Sequence, residues 1–294
     1  MSALFEAVPN FSEGRDLRVI DALVEAAQRA GARVLHRTSD AAHNRSVITL
    51  AGTKPVLLAA AIALAGVAAR QIDLRTQRGE HPRMGALDVL PFIPLADATL
   101  ADAASLARQA AARIWYEHAI PSYLYEEAAT APHRRDLASV RQGEFEGLNS
   151  KCADPLWRPD FGSVPHPSAG AIAIGARPFL IAFNVELESG DIGLAQRIAR
   201  RMRARNGGLK TLKALPFRLS NERVQVSFNI SDAAATPLYR IRELVREFAH
   251  DESAEIGRSE LIGLCPLHAV VETACYYAGV SKPPAVVFAR AMEA

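Results

Sequence analysis

The chain has 294 residues, of which 49% are hydrophobic and 22% are charged, and its formal net charge at pH 7 is +2. These values are typical of a globular protein with a sizeable core, and they exclude a disordered or fibrous chain. A charge this close to zero also argues against nucleic acid or an acidic membrane as a partner recruited by global charge.

Six elements are predicted in the first half of the chain. Apolar residues at helical spacing indicate the helices, and short apolar, partly β-branched runs indicate the strands. The elements are a strand at residues 4–8, a helix at 17–27 that ends near Gly31, strands at 33–37 and 46–50, a helix after Pro55, and a strand at 87–93. The second helix is too short and too rich in alanine to cross a bilayer, so we expect it to be buried.

The same order of elements recurs in the second half. It comprises a strand at residues 179–185, a helix at 194–202, strands at 212–217 and 224–230, a helix opened by Thr236 and Pro237, and a strand at 261–264. Matching elements lie roughly 170 to 185 positions apart, as a duplicated βαββαβ unit requires. We therefore predict an α+β fold of two ferredoxin-like lobes, each an antiparallel sheet with helices on its outer face. The N-terminal lobe with its connecting segment spans residues 1–170, and the C-terminal lobe spans residues 171–294.

A helix and a proline-rich stretch separate the two predicted units. Thr99 and Asp102 form a capping box at the start of this helix. Residues 132–170 show no clear periodicity and are interrupted by five prolines. Such a stretch is either a linker or a functional loop. Trp157 and Phe161 favour a loop that packs against the protein, because free linkers carry few large apolar groups.

Several common signatures are absent from the sequence. It contains no dinucleotide-binding G-x-G-x-x-G, P-loop, G-x-S-x-G or H-E-x-x-H motif, and its cysteines and histidines lack zinc-ligand spacing. We therefore expect no permanently bound metal. The three cysteines form no C-x-x-C pair, and the first residues lack a signal-peptide pattern, so we expect a cytoplasmic protein.

The most informative segment runs from Arg78 to Asp88, between a predicted helix and a predicted strand. Pro82 fixes its own φ and keeps His81 extended. An imidazole on such a rigid connection can accept and return a proton near neutral pH. Arg83 can hold a carboxylate through two hydrogen bonds. The alternative is an ordinary surface loop with a hydrogen-bonded histidine.

A second polar segment, residues 39–46, joins two predicted strands. Asp40 can orient or charge a neighbouring histidine, while Asn44 and Arg45 can hold polar groups of a substrate. The alternative is again structural, because Asp and Asn are common in turns without any function.

Two further segments also allow both a functional and a structural interpretation. Residues 8–16, which include Asn10, lead from a strand into a helix start, where backbone amides can receive an anion. The first helix of the second half and the residues after it are rich in cations: Arg197, Arg200, Arg201, Arg203, Arg205, Lys210 and Lys213. They form either a solvated face or a patch for a multiply negative ligand. Nucleic acid is the weaker candidate, because no aromatic stacking platform accompanies them.

Together these segments resemble the formiminotransferase family of folate enzymes. The resemblance extends from about residue 3 to the 270s, and its motifs occur in the family's order. They are Val8–Gly14, Asn44–Val47, Gly79–Asp88 with its continuation to Pro94, Pro159–Gly162, Gly175–Arg177, Phe179 and Ala182–Asn184. Motifs of this length are hard to obtain by chance in the right order.

The resemblance implies transfer of a formimino group from N-formimino-L-glutamate to tetrahydrofolate, which yields 5-formiminotetrahydrofolate and glutamate. Tetrahydrofolate is then a co-substrate, and no metal, nucleic acid or membrane takes part. The resemblance also implies two lobes that face each other across a charged folate-binding channel, and a homodimer. The expected form is the stand-alone bacterial enzyme, without the cyclodeaminase domain of animal relatives.

The family's catalytic acid/base corresponds to His81, which takes a proton from the folate N5 and supplies one to the leaving glutamate nitrogen. From residue type and charge we add Asp40 as a second catalytic residue. The same reasoning gives a set of substrate-binding residues: Asn10, Asn44, Arg45 and Arg83. The folate-binding loop of the family falls on Gly162, Ser163, Val164, Pro165, His166, Pro167, Ser168, Ala169 and Gly170.

Two alternatives stay open at this point. Animal relatives have a Gly-Pro step and a tryptophan where this loop has Gly162-Ser163 and Ala169, and the loop is one residue shorter here. An enzyme that uses a formyl donor in the same channel is therefore a second candidate. A folate-binding protein without catalysis is a third, although the intact stretch from Gly79 to Gly85 argues against it, because a binder needs no proton shuttle.

Overall fold

The computed structural model describes residues 3–41, 43–219 and 222–281. It is a mixed α+β protein with two sheets, and it divides into two compact units between Phe179 and Leu180. The predicted lobes meet at residues 170 and 171. The strand at Ile172–Ala176 pairs within the sheet of the first unit, which is why that unit extends further along the chain.

The first unit begins with the predicted βαββαβ order and then adds further elements. In chain order these are β1 (Leu4–Ala7), β2 (Asn10–Phe11), α1 (Leu17–Arg29), β3 (Arg33–Asp40), β4 (Arg45–Thr53), α2 (Lys54–Gln71), β5 (Leu87–Pro94), α3 (Leu100–His118), β6 (Ser122–Glu126), α4 (Leu137–Arg141), α5 (Leu148–Ala153) and β7 (Ile172–Ala176). Single 3₁₀ turns lie at Pro132–Arg134 and Pro155–Trp157.

The strands of the first unit form one sheet in the order β3, β4, β1 with β2, β5, β7, β6. β1 and β2 both lie between β4 and β5 and pair with each of them in antiparallel fashion. β7 pairs in parallel with β5 and with β6. The predicted strands of this unit are therefore confirmed, and β6 and β7 extend the sheet beyond the prediction.

Local signals in the sequence set the helix ends in the first unit. Asp16 caps α1 by accepting the backbone N–H of Arg18, and Gly31 follows the helix with a φ of +86°, as predicted. Thr99 and Asp102 form the predicted capping box at the start of α3. These contacts satisfy backbone groups that a helix leaves without intrahelical partners.

One face of this sheet is packed against helices α1, α2 and α3. The core between them contains large apolar side chains from strands and helices alike: Phe5, Phe11, Leu23, Ile48, Leu50, Leu57, Leu64, Phe92, Leu106 and Ile114. Helix α2 is the one described helix that is long and apolar enough to cross a membrane by composition, which is weak evidence for a span. Its Leu57 and Leu64 are almost fully buried within this core, as the buried-helix prediction requires.

The segment between β6 and β7 packs on the other face of the sheet, against β6 and β7. A second core joins it to the strands through Met84, Val89, Tyr123, Val140, Leu148 and Cys152. Arg134 and Asp160 form an ion pair of 2.8 Å in which both side chains are buried. The prediction that this proline-rich segment packs against the protein is confirmed.

The second unit has the elements β8 (Ile181–Leu187), α6 (Ile192–Met202), β9 (Leu212–Arg218), β10 (Val224–Ile230), α7 (Leu238–His250), β11 (Ile256–Ile262) and α8 (Leu267–Ala278). Its sheet has the order β11, β8, β10, β9 and is antiparallel throughout. The alternation predicted for β10 is confirmed. Helix α7 begins at Leu238, one residue later than predicted, and the hydroxyl of Thr236 bonds to Thr211 instead of capping it.

Candidate active site

Polar side chains gather on the face of the first sheet that lies away from α1, α2 and α3. Side chains alternate between the two faces of a strand. Phe5, Phe11 and Ile48 point into the helix-covered core, so Asn10 and Arg45 belong to the opposite face. Most of the predicted catalytic and substrate-binding residues lie on this face or in the loops at its edge.

Asp88 is the centre of this polar group and is fully buried. It accepts the backbone N–H of Met84 at 2.8 Å, and it pairs with Arg45 at 2.9 Å and with Arg141 at 2.5 Å. Burial alone would raise the pKa of its carboxyl group, but the two guanidinium groups outweigh burial and lower this pKa to about 2. Asp88 is therefore ionised near neutral pH.

Arg45 and Arg141 approach Asp88 from different parts of the chain. Arg45 begins β4 and also donates to the side-chain oxygen of Asn10 at 2.9 Å. Arg141 ends α4, and its Nε is buried without a hydrogen-bond partner among the described residues. Sequence reasoning missed Arg141 because it lies in the aperiodic segment, where only its charge could have signalled a role.

His81 lies half-buried beside these arginines. Its Nδ1 is 2.8 Å from the carbonyl oxygen of Pro82. Since a carbonyl only accepts, Nδ1 carries the proton and Nε2 holds the lone pair. Burial, followed by the positive charges of Arg45 and Arg141, lowers the pKa of His81 to about 3. The imidazole is thus neutral near pH 7 and is available as a base.

Asp40 pairs with a histidine, as predicted, and that histidine is His43. The Oδ2 of Asp40 lies 3.0 Å from Nδ1 of His43, and its Oδ1 accepts the backbone N–H of His43 at 2.8 Å. The ring of His43 meets the ring of His81 edge to face, with 6.3 Å between the centroids. His43 was not among the predicted site residues, although it lies in the predicted polar segment 39–46. Ala42 of that segment lies outside the described residues.

The side chain of Asn44 links its own loop to two others through hydrogen bonds. Its side-chain oxygen accepts the backbone N–H of Gly14 at 2.9 Å, and its amide donates to the carbonyl of Arg78 at 2.9 Å. The loops touch through backbone: a Cβ on Gly79 would lie 2.2 Å from the carbonyl oxygen of His43, and a Cβ on Gly14 would lie 2.5 Å from the backbone nitrogen of Arg45. Glycine is therefore required at both positions by close packing.

Arg83, predicted to bind a substrate carboxylate, is engaged within the protein. Its guanidinium donates to both carboxylate oxygens of Glu146 at 2.8 Å and to Gln77 at 3.0 Å. An open cleft of about 470 Å³ lies next to it, lined by Arg78, Gly79, Arg83, Gly143, Glu144 and Glu146. Arg83 thus fixes the segment that carries His81 and leaves two acidic side chains at the rim of the cleft.

The predicted folate-binding loop ends beside the segment that carries His81. His166 and Gly170 exchange backbone hydrogen bonds, and Nδ1 of His166 accepts the backbone N–H of Ala169 at 3.0 Å. The Nε2 of His166 therefore carries the proton and can donate it. Ala169 in turn accepts from the backbone N–H of Ala86 at 2.9 Å. Ser163 and Val164, at the tip of the loop, are exposed.

A second buried charge cluster on the same face of the sheet was not predicted. Glu6 on β1 is only 4% exposed, and its burial raises its pKa to about 7 although the charge of Arg177 opposes this. Burial also raises the pKa of the neighbouring Tyr125 to about 12. Glu6 alternates with apolar residues in β1, which is the one sequence signal for a buried acid.

Two of the arginines of α6 have acidic partners in the second unit. Arg197 bonds to Glu252, and Arg201 lies 3.6 Å from Asp251 and over the ring of Phe248. These contacts are those of a solvated ion-pair surface. The side chain of Arg205 lies outside the described part of the chain. Within that part, no three His, Cys, Asp or Glu side chains are placed to hold a metal ion.

Comparisons with known proteins agree on one family for both halves of the sequence. Residues 4–177 match the family described as formiminotransferase domain, N-terminal subdomain, and residues 182–287 match the formiminotransferase domain. A glutamate formimidoyltransferase from Streptococcus pyogenes is 42% identical over 94% of this chain and 94% of its own length. One from Thermoplasma acidophilum is also 42% identical, over 94% and 92%. The formimidoyltransferase-cyclodeaminase of Rattus norvegicus is 39% identical over 96% of this chain and 54% of its own length.

Proposed function

The chain belongs to the formiminotransferase family, and we propose that it is a glutamate formimidoyltransferase that moves a formimino group from N-formimino-L-glutamate to tetrahydrofolate. The products are 5-formiminotetrahydrofolate and L-glutamate, and the reaction belongs to histidine degradation. Beyond family membership, the proposal rests on the protonation state of His81. A neutral imidazole with a free lone pair on Nε2 stands beside two cationic side chains.

The chemistry of the transfer requires such a base. The folate N5 attacks the amidine carbon and must lose a proton, and the glutamate nitrogen must gain a proton before it leaves. Nε2 of His81 takes the proton from N5, a role that accelerates reactions by typically 10² to 10⁴. Nδ1 is held by the carbonyl of Pro82, so the tautomer needed for this step is fixed in advance.

The charged group around Asp88 has a binding role in this proposal. Arg45 and Arg141 contribute two positive charges, and Asp88 neutralises one of them, which leaves one net positive charge in this group of three side chains. Formiminoglutamate carries two carboxylates, and a buried cation attracts an anion more strongly than a solvated one. Asn10 and Asn44 hold the loops around this charge.

The loop from Gly162 to Gly170 is the proposed folate-binding segment. Its exposed tip at Ser163 and Val164, and the Nε2–H donor of His166, support contact with a ligand that has both aromatic and polar parts. Its end is bonded to the backbone of Ala86, so a folate held by this loop stays near the segment of His81.

We also infer a duplication of one ferredoxin-like βαββαβ unit, with lobe boundaries near those predicted. The order β3, β4, β1 with β2, β5 in the first sheet corresponds element by element to β9, β10, β8, β11 in the second, which supports common descent of the two units. The family resemblance supports a cytoplasmic homodimer. Gel filtration tests the dimer, and a monomeric mass would count against it.

A formyl donor is the second candidate, because the loop from Gly162 to Gly170 departs from the animal pattern at Ser163 and Ala169. The test incubates the purified protein with tetrahydrofolate and, in parallel, with N-formiminoglutamate or N-formylglutamate. We expect 5-formiminotetrahydrofolate, identified by mass, and a formimino rate at least tenfold above the formyl rate. Formation of only 5-formyltetrahydrofolate would replace the proposal with the second candidate, and no product from either donor would overturn both.

A further inference from the structure

His43 is a second imidazole at the proposed active site, and two contacts to one carboxylate hold it in place. Asp40 pairs with its Nδ1 at 3.0 Å and accepts its backbone N–H at 2.8 Å. The side chain of His43 is 12% exposed, whereas that of Asp40 is 50% exposed. The ring of His43 is therefore held by a carboxylate that is more exposed than the ring itself, and it makes a T-shaped contact with the His81 ring, 6.3 Å away between centroids.

The two imidazoles stand in opposite electrostatic surroundings. His81 faces the guanidinium groups of Arg45 and Arg141, which disfavour a positive charge on its ring. His43 instead has a carboxylate in contact, with Oδ2 of Asp40 at 3.0 Å from its Nδ1. Charged side chains on the segments packed around His43 are those of Glu13, Arg15, Asp40, Arg45, Arg78, Glu80 and Arg83. Among histidine pairs, such asymmetry assigns base and acid to different rings.

We propose that His43, held by Asp40, is the general acid of the transfer and donates a proton to the nitrogen of the departing glutamate, while His81 acts as the base. This inference rests on the proposed formimino transfer. The family resemblance assigns a catalytic role to His81 and none to His43. In this proposal His43 provides a second proton-transfer site next to His81.

The proposed step balances in atoms and charge. The lone pair of folate N5 forms the new bond to the amidine carbon, and the N5 proton passes to Nε2 of His81. The bond between that carbon and the glutamate nitrogen then breaks, and its electron pair takes the proton of the His43 imidazolium. A proton returns from His81 to His43, across the ring contact or through one water molecule, and both rings regain their starting state.

The test uses the full chain in four variants. His43→Gln removes the acid, Asp40→Asn removes its carboxylate, and the double variant removes both. His250→Gln, an exposed histidine at the end of α7 in the second unit, is the matched control. Circular dichroism shows that each variant is folded, and the folate dissociation constant shows that it binds folate. If His43→Gln does not fold, the test relies on Asp40→Asn alone.

We expect His43→Gln to lower kcat about 100-fold with KM changed less than threefold, since the acid acts after binding. Asp40→Asn lowers kcat about tenfold, because the altered side chain no longer holds the His43 ring through its carboxylate. The double variant is no slower than His43→Gln, because the two side chains act as one unit.

Two results would overturn the inference. They are a His43→Gln variant with wild-type kcat, and losses in the two single variants that multiply in the double variant. If the wild-type protein makes no formimino product, the proposed function itself fails. A wild type that makes product while His43→Gln does so equally well rejects only the role of His43.

Discussion

Asp88 illustrates how one buried residue sets the electrostatics of this site. It binds the backbone of the His81 segment through Met84 and holds two guanidinium groups that would otherwise repel each other. Without Asp88, the charges of Arg45 and Arg141 would be buried and uncompensated. Such a residue stabilises the folded chain by an amount that exposed ion pairs do not reach.

We expect Asp88→Asn to lower the free energy of unfolding by about 3 to 5 kcal/mol, because it leaves two buried cations with no anion between them. Urea denaturation followed by circular dichroism measures this change. The control is Asp73→Asn, which breaks an exposed pair with Arg75 and should cost less than about 1 kcal/mol. Equal effects of the two substitutions would show that Asp88 is not the compensating charge described above.

His166 has a smaller and more local role. Its Nδ1 accepts the backbone N–H of Ala169 and so holds the end of the proposed folate loop in shape. A net loss of about 1 kcal/mol for one hydrogen bond corresponds to a change of roughly fivefold in an equilibrium constant. We expect His166→Ala to raise the dissociation constant of tetrahydrofolate about fivefold or more, measured by calorimetry. Unchanged folate affinity would show that this hydrogen bond does not contribute to folate binding.

At the scale of elements, three connections meet at the edge of the first sheet: β2 to α1, β3 to β4, and α2 to β5. Gly14 and Gly79 let their backbones touch, and Asn44 bonds across both contacts. The position of His81 therefore depends on packing between loops that are distant in the sequence. Rigid connections of this kind hold catalytic groups more accurately than separate loops would.

The glycine contact gives a direct prediction for activity. In Gly79→Ala the new Cβ lies 2.2 Å from a backbone oxygen of His43, which forces the two loops apart. We expect kcat to fall at least tenfold, because small displacements of a catalytic group have large effects on rate. Gly257→Ala in β11 is the control, since its nearest neighbour is the movable end of the Glu188 side chain. A Gly79→Ala variant as active as this control would contradict the tight fit of the loops.

The strand β7, which sequence reasoning missed, has a physical cause for that failure. β7 reads Ile172-Ala-Ile-Gly-Ala176, and its alanines and glycine have low strand propensity. It is a strand because β5 and β6 pair with its two edges and because two cores cover its two faces. Tertiary packing supplies these contacts, and local sequence does not show them. β10, in contrast, alternates clearly between apolar and polar residues, and its prediction is confirmed.

At the scale of the whole molecule, the sequence predicted which segments carry the chemistry but not how their side chains pair. The segments containing Asp40, Arg45 and His81 do come together. Sequence spacing could not show that Asp40 pairs with His43, nor that Arg83 forms an ion pair with Glu146. These pairings depend on three-dimensional contacts between the loop edge and the segment after β6, which carries Glu146 and Arg141.

Two buried groups of the first unit give the folding stability a pH dependence of opposite sign. The folded chain keeps His81 unprotonated down to a pKa of about 3, so its contribution to stability declines as pH falls below 6.5. The folded chain keeps Glu6 protonated up to a pKa of about 7, so its contribution declines as pH rises above 4.5. Each slope is at most about 1.4 kcal/mol per pH unit, and between pH 4.5 and 6.5 the two oppose each other.

We therefore expect Glu6→Gln to remove the contribution of Glu6, so that the pH dependence of stability due to His81 is no longer opposed. Between pH 4.5 and 6.5 its free energy of unfolding should rise with pH more steeply than that of the wild type. His81→Gln should show the reverse, with a slope below that of the wild type. Urea denaturation at pH 4.5, 5.5 and 6.5 measures all three proteins. Parallel curves for the three would contradict the burial of these charges.

The most direct test of the account is the single-turnover rate of His81→Gln with tetrahydrofolate and N-formiminoglutamate, alongside the wild type and His250→Gln. We expect His250→Gln to match the wild type. We expect His81→Gln to be at least a hundredfold slower while its dissociation constant for tetrahydrofolate stays within threefold, because the neutral imidazole removes a proton and does not hold the folate. A His81→Gln variant that transfers the formimino group at a rate near that of the wild type would contradict this role.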